Sequence, residues 1–416
     1  MSVTCVGLVR LFECSDCRSK LSDGYTVKAE TRPVRVALLT EIISPYRIPF
    51  LNELASDERI QLEVFFFSTT EGRRNWRIQW EKIHFQYRIL PGFMVAQRYQ
   101  GGPIFFNPTI LGPLCRGKFD TIICFGYHHP TIWMALMWSR LSRARTLLWS
   151  ESTLRDERYS GRVVQWLKRY LLRYFDGFVA AGAAQVQYLR HLGAARDHIW
   201  VAPDAVDSDF FTTQSLHYWK QKTGIKQALG VEGPIVLCVG RLLDSKGIPE
   251  LLDAFEQVSL QCKSTLLLVG DGPDIVRYQE ECRKRELTSV YFEGFQPQQQ
   301  LPRYYAIADV FVFPTRSDPW GLVLNEAMCA GLPVICSTAA GGGTALVRPG
   351  KNGFLHEPGD VGALRRYLLT LLNDSNMRSR MGAASREIIM DFSPQKMASG
   401  FVDAVLVHHN RDHDCN

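Results

Sequence analysis

Hydrophobic runs alternate with helix-patterned segments along most of the chain. In the first half, VRVALLT (34–40), LEVFFFS (62–68), TIICFG (121–126) and TLLWSE (146–151) read as short strands, and residues 45–56 read as a helix. The second half repeats the scheme with IVLCVG (235–240), TLLLVG (265–270), VYFEG (290–294), VFVFP (310–314) and PVICS (333–337). Helices start near 247 and 274, and 360–408 is largely helical. Apolar runs that do not alternate with polar residues belong to strands covered on both faces, and the intervening helices supply the cover. The pattern predicts an α/β protein with two doubly wound, Rossmann-like parallel-sheet domains and a boundary near 205–230.

Composition narrows the partners. A chain of 416 residues is too long for one ordinary core, and 46% hydrophobic with 22% charged residues is the mixture of a globular protein. Lys and Arg number 48 against 42 Asp and Glu, and the resulting +6 favours anionic ligands or lipid surfaces without a recognised nucleic-acid module. The 11 cysteines are scattered, several inside apolar runs, which fits a reducing, cytoplasmic setting. Cys14 and Cys17 have zinc-ligand spacing but no second half-site, so no metal is expected there. Arg10 interrupts the mildly apolar start, which lacks a signal-peptide pattern. No run approaches the roughly 20 apolar residues of a membrane-spanning helix.

In open parallel sheets, ligands bind beyond the carboxyl ends of the strands. After IVLCVG comes Arg241, and Lys246 precedes a helix start; two cations beside free backbone N–H groups suit a diphosphate, the alternative being a solvated pair. Gly270-Asp271-Gly272-Pro273 after TLLLVG reads as a tight turn open to a ligand, but the third glycine of the dinucleotide fingerprint is missing. In SDPWGLVLNE (317–326), Asp318 reads as a helix cap with Pro319 at the first helical position, and Glu326 falls about two turns inside. Glu326 lies among apolar neighbours, where an unpaired carboxylate is costly, so a ligand hydroxyl is its expected partner.

GRLLDSKGIPELLDAF, LLLVGDGPD, YFEGF, SDPWGLVLNEAMCAGLPVICS and NGFLHEPGD together resemble family 4 glycosyltransferases of the GT-B fold, through roughly residues 34–390. The resemblance implies two facing Rossmann-like domains with a cleft between them. The activity implied is transfer of a hexosyl or related sugar from a nucleoside-diphosphate sugar, with retention, to a glycan or lipid-linked acceptor in polysaccharide or glycoconjugate synthesis. It implies Arg241 and Lys246 on the diphosphate, Glu326 on the ribose and Asp318 near the donor sugar; Gly270 and Gly272 of the tight turn are further donor-binding candidates. The donor sugar is a co-substrate, and no cofactor or metal is expected. A nucleotide-sugar epimerase and a non-catalytic nucleotide-sugar-binding subunit are the alternatives.

On this reading residues 1–31 form a flexible leader, 32–210 the acceptor-side domain, 211–385 the donor domain, and 386–416 a helix and tail that return to the first domain. Departures from the family pattern are Asp318 for Glu, Pro203-Asp204-Ala205 for Pro-Asn-Gly, Ala345 for an acidic residue, and Ser44-Pro45-Tyr46-Arg47 in place of a glycine pair. In the first domain, His128, His129 and Glu151 stand at strand tips and are candidate catalytic groups. GRVVQWLKRYLLRYF (161–175) is expected to pack its apolar face into the core, the alternative being a helix on the cytoplasmic face of an anionic membrane. RRNWRIQWEK (73–82) is a candidate acceptor contact. Asp207-Ser208-Asp209 mimics a metal-binding pair but lies between the domains. The His and Asp residues at 408–414 read as a frayed terminus.

Overall fold

Strands with near-continuous apolar sequence form the centre of both sheets because both of their faces are covered: IVLCV, TLLLV and VFVF bury every residue. The computed structural model describes residues 32–70, 78–95, 102–155 and 161–407. Both sheets lie in the unit Val34–Asn416.

In the first half the strands are β1 (Val34–Ile42), β2 (Ile60–Ser68), β3 (Gln86–Ile89), β4 (Phe93–Val95), β5 (Ile104–Phe106), β6 (Thr121–Phe125), β7 (Arg145–Ser150), β8 (Gly177–Ala180) and β9 (Ile199–Val201). The helices between them are α1 (Ile48–Ser56), α2 (Leu111–Gly117), α3 (Pro130–Ser142), α4 (Arg162–Leu172) and α5 (Ala183–His191). Seven strands make a parallel sheet in the order β3-β2-β1-β6-β7-β8-β9, and β4 and β5 form a separate antiparallel pair.

Helices α6 (Ser208–Trp219) and α7 (Lys222–Ala228) lead into the second half, where the strands are β10 (Ile235–Val239), β11 (Thr265–Val269), β12 (Val290–Phe292), β13 (Val310–Phe313), β14 (Val334–Ser337) and β15 (Gly353–His356). They form a second parallel sheet in the order β12-β11-β10-β13-β14-β15. Its helices are α8 (Ile248–Ser259), α9 (Ile275–Lys284), α10 (Leu301–Ile307), α11 (Leu322–Cys329), α12 (Gly343–Leu346), α13 (Val361–Asn373) and α14 (Ser375–Ile389), and α15 (Pro394–Leu406) follows. Each sheet reverses its winding at one point, β1/β6 in the first and β10/β13 in the second, and strand tips part there to leave a crevice.

Helix α15 packs on the first sheet: Met397, Phe401 and Val405 join a core with Phe50 of α1 and Trp149 of β7. Arg145 Nη1 donates to the Ala404 carbonyl at 2.5 Å.

Two local expectations are corrected, for Asp318 and for helix α4. Asp318 does not cap a helix: α11 begins at Leu322, after Gly321 in the left-handed region (φ +94°), so Glu326 sits little more than one turn inside. A side chain on Gly321 would meet the Phe313 ring, and glycine's freedom lets the chain turn sharply from loop to helix. The Gly270-Asp271-Gly272 turn stays partly exposed, and its glycines serve a close approach to the backbone after β10. A Cβ on Gly270 or Gly272 would lie 1.8 Å from the Gly240 carbonyl oxygen or 2.2 Å from that of Leu242. Helix α4 does not bury its apolar stripe; only Leu171 and Leu172 are buried.

Asp207 caps α6 by accepting from the Phe210 N–H at 3.0 Å, which gives it a structural role. The leader 1–31, the Cys14 and Cys17 pair, residues 73–77 and the tail 408–414 lie outside the described residues.

Candidate active site

The strand tips of the second sheet are tied together by backbone before any ligand chemistry is considered. Gly247, at φ +72°, ends the turn carrying Lys246, and a Cβ there would stand 2.0 Å from the Pro314 carbonyl oxygen. This close approach lets the Arg316 N–H and the Thr315 hydroxyl donate to the Ser245 carbonyl at 2.9 and 3.1 Å. The turn after β10 is thereby fastened to the loop after β13. Lys246 Nζ consequently reaches Asp318 Oδ2 at 2.6 Å, with each side chain about one-fifth exposed. The other Asp318 oxygen accepts from the Trp320 N–H at 3.0 Å. Arg241 is exposed at the tip of β10 and makes no hydrogen bond or ion pair among the described residues.

Glu326 is fully buried. Its Oε2 accepts from the Tyr305 hydroxyl at 2.5 Å, while Oε1 is buried with no hydrogen-bond partner among the described residues. Burial pushes its pKa up to about 8, against the lowering effect of the Tyr305 hydrogen bond. An orphaned, buried carboxyl oxygen costs free energy that a ligand hydroxyl would recover.

The first sheet presents a second pair. Glu151, just past β7, accepts from Arg47 Nη2 at 3.0 Å, and Arg47 also donates to the Thr40 hydroxyl at 3.2 Å. The Arg47 guanidinium lies 3.9 Å from the Phe125 ring centroid and 4.6 Å from that of Trp149, which fixes it from the side. The two pairs face each other across a joined boundary. Gln185 of α5 donates to the Pro319 carbonyl at 2.7 Å and, at 3.5 Å, to that of Glu151. Arg155 donates to the Thr338 hydroxyl at 3.0 Å.

Between the pairs lies Asp204, which is 5% exposed and whose carboxyl makes no hydrogen bond among the described residues. Its backbone carbonyl accepts from Asn325 Nδ2 at 2.9 Å, and Asn325 Oδ1 accepts from Trp320 Nε1 at 3.0 Å, which anchors the residue to α11 and the 317–321 loop. Burial pushes its pKa well above the usual carboxylate range; Glu151 and Asp318 reinforce the rise and Arg47 opposes it. Arg47, Gln185, Asp204 and Tyr305 were not singled out from sequence as site residues. The only sequence signals were the unusual 44–47 and 203–205 segments, where a motif was replaced.

His128 and His129 make their ion-pair contacts with Glu41 rather than with Glu151 or Asp318. Their Nε2 atoms lie 3.3 and 3.0 Å from the same Glu41 oxygen. Although burial alone would raise it, the two histidines hold the Glu41 carboxyl far below the usual carboxylate range. Ligand atoms of Glu41, His128 and His129 lie within 4.8 Å of one another, close enough to share a cation. The hydrogen bonding disfavours one. His129 Nδ1 accepts from the Phe105 N–H at 3.2 Å, so its Nε2 carries the ring proton toward Glu41, and a metal on Nε2 would have to displace it. Burial lowers the His129 pKa, while the hydrogen bond to Glu41 opposes the fall.

Comparison with known proteins agrees with this architecture. Residues 220–388 match the family model of the glycosyl transferases group 1. The chain is similar to the sulfoquinovosyl transferase SQD2 of Arabidopsis thaliana, at 34% identity over 50% of this chain and 38% of that one. It is also similar to the GDP-mannose-dependent alpha-(1-6)-phosphatidylinositol monomannoside mannosyltransferase of Mycolicibacterium smegmatis, at 28% identity over 68% of this chain and 69% of that one. The chain thus spans between about two-fifths and about two-thirds of these relatives' lengths. The crystal structure of Anabaena HepE in complex with UDP and glucose shares the fold, with a TM-score of 0.70, 20% identity, and 90% of this chain and 100% of that one covered. With its two doubly wound parallel sheets the chain has the GT-B fold, and residues 220–388 within it form a domain that matches the glycosyl transferases group 1.

Proposed function

We propose that the chain transfers a hexosyl or related sugar, with retention, from a nucleoside-diphosphate sugar to a hydroxyl of a glycan or lipid-linked acceptor. The observation that carries this reading is the arrangement at the β10 and β13 tips. Arg241 is uncommitted, Lys246 is held beside Asp318, and Glu326 keeps an unpartnered oxygen. Arg241 and Lys246 take the diphosphate and stabilise the charge that develops as it departs, where fixed cations help the transition state more than a neutral acceptor. Glu326 Oε1 accepts from a ribose hydroxyl. Asp318, sharing Lys246, faces the sugar.

On the first-domain side, Glu151 braced by Arg47 is the carboxylate nearest the acceptor. His128, half-exposed, is the histidine able to meet a substrate, whereas His129 is buried and positions Glu41. Gly270 and Gly272 contribute by fitting the β11 turn against the β10 tip and so setting where Arg241 stands. The relatives' printed names support sugar transfer: one is a sulfoquinovosyl transferase, and the other a GDP-mannose-dependent mannosyltransferase named for a phosphatidylinositol monomannoside.

The test incubates the protein with UDP-, GDP- and ADP-sugars and a panel of glycan and lipid acceptors. Free nucleoside diphosphate should appear only when an acceptor is present, and the product should keep the donor's anomeric configuration by NMR. Inversion would refute retention. Acceptor-independent conversion of the donor to its epimer, or binding without turnover across the panel, would refute transfer.

A further inference from the structure

Helix α4 presents an apolar stripe to solvent. Val163, Trp166, Leu167 and Tyr170 fall at i, i+3, i+4 and i+7 and are 77%, 64%, 46% and 42% exposed. The Trp166 and Tyr170 rings stack at 5.7 Å, and the Tyr170 and Tyr174 hydroxyls lie 2.8 Å apart, so the aromatics form an ordered face. The neighbouring α3 adds Trp133, Met137 and Leu141, spaced four residues apart and all exposed. Arg140 of α3 ties that helix to the segment just after α4 by donating to the Tyr174 carbonyl at 2.9 Å. Isolated exposed apolar side chains are ordinary, but two adjacent stripes of this kind mark an interaction surface.

The charge around the stripes selects the occupant. Neither α3 nor α4 contains an acidic residue; Arg162, Lys168 and Arg169 lie on α4, Arg173 follows it, and Arg140 and Arg143 lie at the end of α3. Asp176, just past the end of α4, stands beside Arg140 at 3.8 Å. Tryptophan and tyrosine rings among arginines match the boundary between headgroups and acyl chains of an anionic bilayer, where rings enter and cations meet lipid phosphates. A protein partner would more commonly be met by an apolar centre with charges of both signs at its rim.

We propose that the exposed faces of α3 and α4 dock the chain on an anionic membrane surface. This goes beyond the transfer reaction and does not depend on it. It also orients the cleft. Helices of a doubly wound sheet run back antiparallel to their strands, so the first turn of α4 lies at the same end as the β7 tip that carries Glu151. A chain lying on α3 and α4 therefore presents its strand-tip end beside the surface from which a lipid-borne acceptor would rise.

Sedimentation of the full chain with phosphatidylcholine vesicles, with and without phosphatidylglycerol, tests the proposal. Binding is expected only with phosphatidylglycerol and should weaken as salt is raised. Replacing Arg162→Gln, Arg169→Gln and Arg173→Gln together should weaken partitioning about a hundredfold, each basic side chain near an anionic surface being worth about fivefold. Trp166→Ser with Leu167→Ser should weaken it at least about tenfold by removing apolar burial. All five positions are exposed, and an unchanged thermal melt confirms that the variants fold. Absence of binding by the unaltered chain, or unchanged binding by both variants, overturns the proposal. So does a concentration-dependent dimer in light scattering that the Trp166→Ser, Leu167→Ser variant abolishes, because the face would then be a self-association surface.

Discussion

Lys246 and Asp318 neutralise one another: the ammonium nitrogen lies 2.6 Å from the carboxylate oxygen, because the Gly247 turn is fastened to the loop after β13. The cation assigned to the diphosphate and the carboxylate assigned to the sugar are thus one ion pair. Binding a donor has to share or part them, so each group tunes the other's affinity.

Asp318→Asn should therefore tighten nucleoside diphosphate binding while reducing turnover. The gain should be about two- to fivefold, in keeping with the modest worth of a partly exposed ion pair. Calorimetry with the diphosphate and steady-state rates with the donor sugar separate the two effects. Weaker diphosphate binding by the variant would show that the pair, rather than Lys246 alone, builds the subsite.

Glu326 should couple nucleotide binding to pH. Ribose hydroxyls donate best to the carboxylate, and the group titrates at about 8, so affinity should rise as pH climbs toward 8 and level off above it. Calorimetry in buffers of different ionisation heat should detect proton release on binding at neutral pH. Glu326→Ala should cost about 1.5–3 kcal/mol of diphosphate affinity. Stability carries the same signature with its own sign. The folded pKa is raised from 4.5, so this group's contribution is full below about 4.5 and is lost as pH rises through about 8, by at most about 1.4 kcal/mol per pH unit. Glu326→Gln should flatten that slope in urea melts, and an unchanged slope would place the ionisation elsewhere.

Burial holds the Asp204 pKa well above the usual carboxylate range, so the uncharged Asp204→Asn should be its best-tolerated replacement. Asp204→Asn should keep turnover and remove the change in kcat/KM that accompanies ionisation of the unaltered carboxyl, an ionisation that burial and then Glu151 and Asp318 oppose. Asp204→Ala leaves an uncompensated space at a 5% exposed position and should be the more damaging change. Identical pH–rate profiles for Asp204→Asn and the unaltered chain would remove Asp204 from the reaction.

Chelation should leave turnover intact, since Arg241 and Lys246 are assigned the role a divalent cation would play. Complete loss in EDTA restored by manganese would reverse that assignment. The Glu41, His128 and His129 cluster would then be the first place to look, with Glu41→Gln as the variant to examine by metal titration.

Strand identity and sheet type were legible in the sequence, because a strand buried on both faces must be apolar throughout and IVLCV, TLLLV and VFVF are. The burial of Glu326 was legible for a related reason: a carboxyl inside a helix otherwise apolar is costly unless something pairs with it. What linear order cannot carry is which tips meet. Only the folded chain brings Lys246 to Asp318, 72 residues later, and Arg47 to Glu151, 104 residues later. The same limit explains why the close approach of Gly270 to the Gly240 backbone was not legible, and why the face of α4 was misread. Helical periodicity shows that α4 has an apolar stripe, but the helix's rotation against the sheet, fixed by burial of Leu171 and Leu172 alone, turns that stripe outward. Pattern determined the elements because burial of each is a local property of its side chains. Contact between elements is set by backbone approach and packing across the whole chain, and the tertiary structure alone decided it.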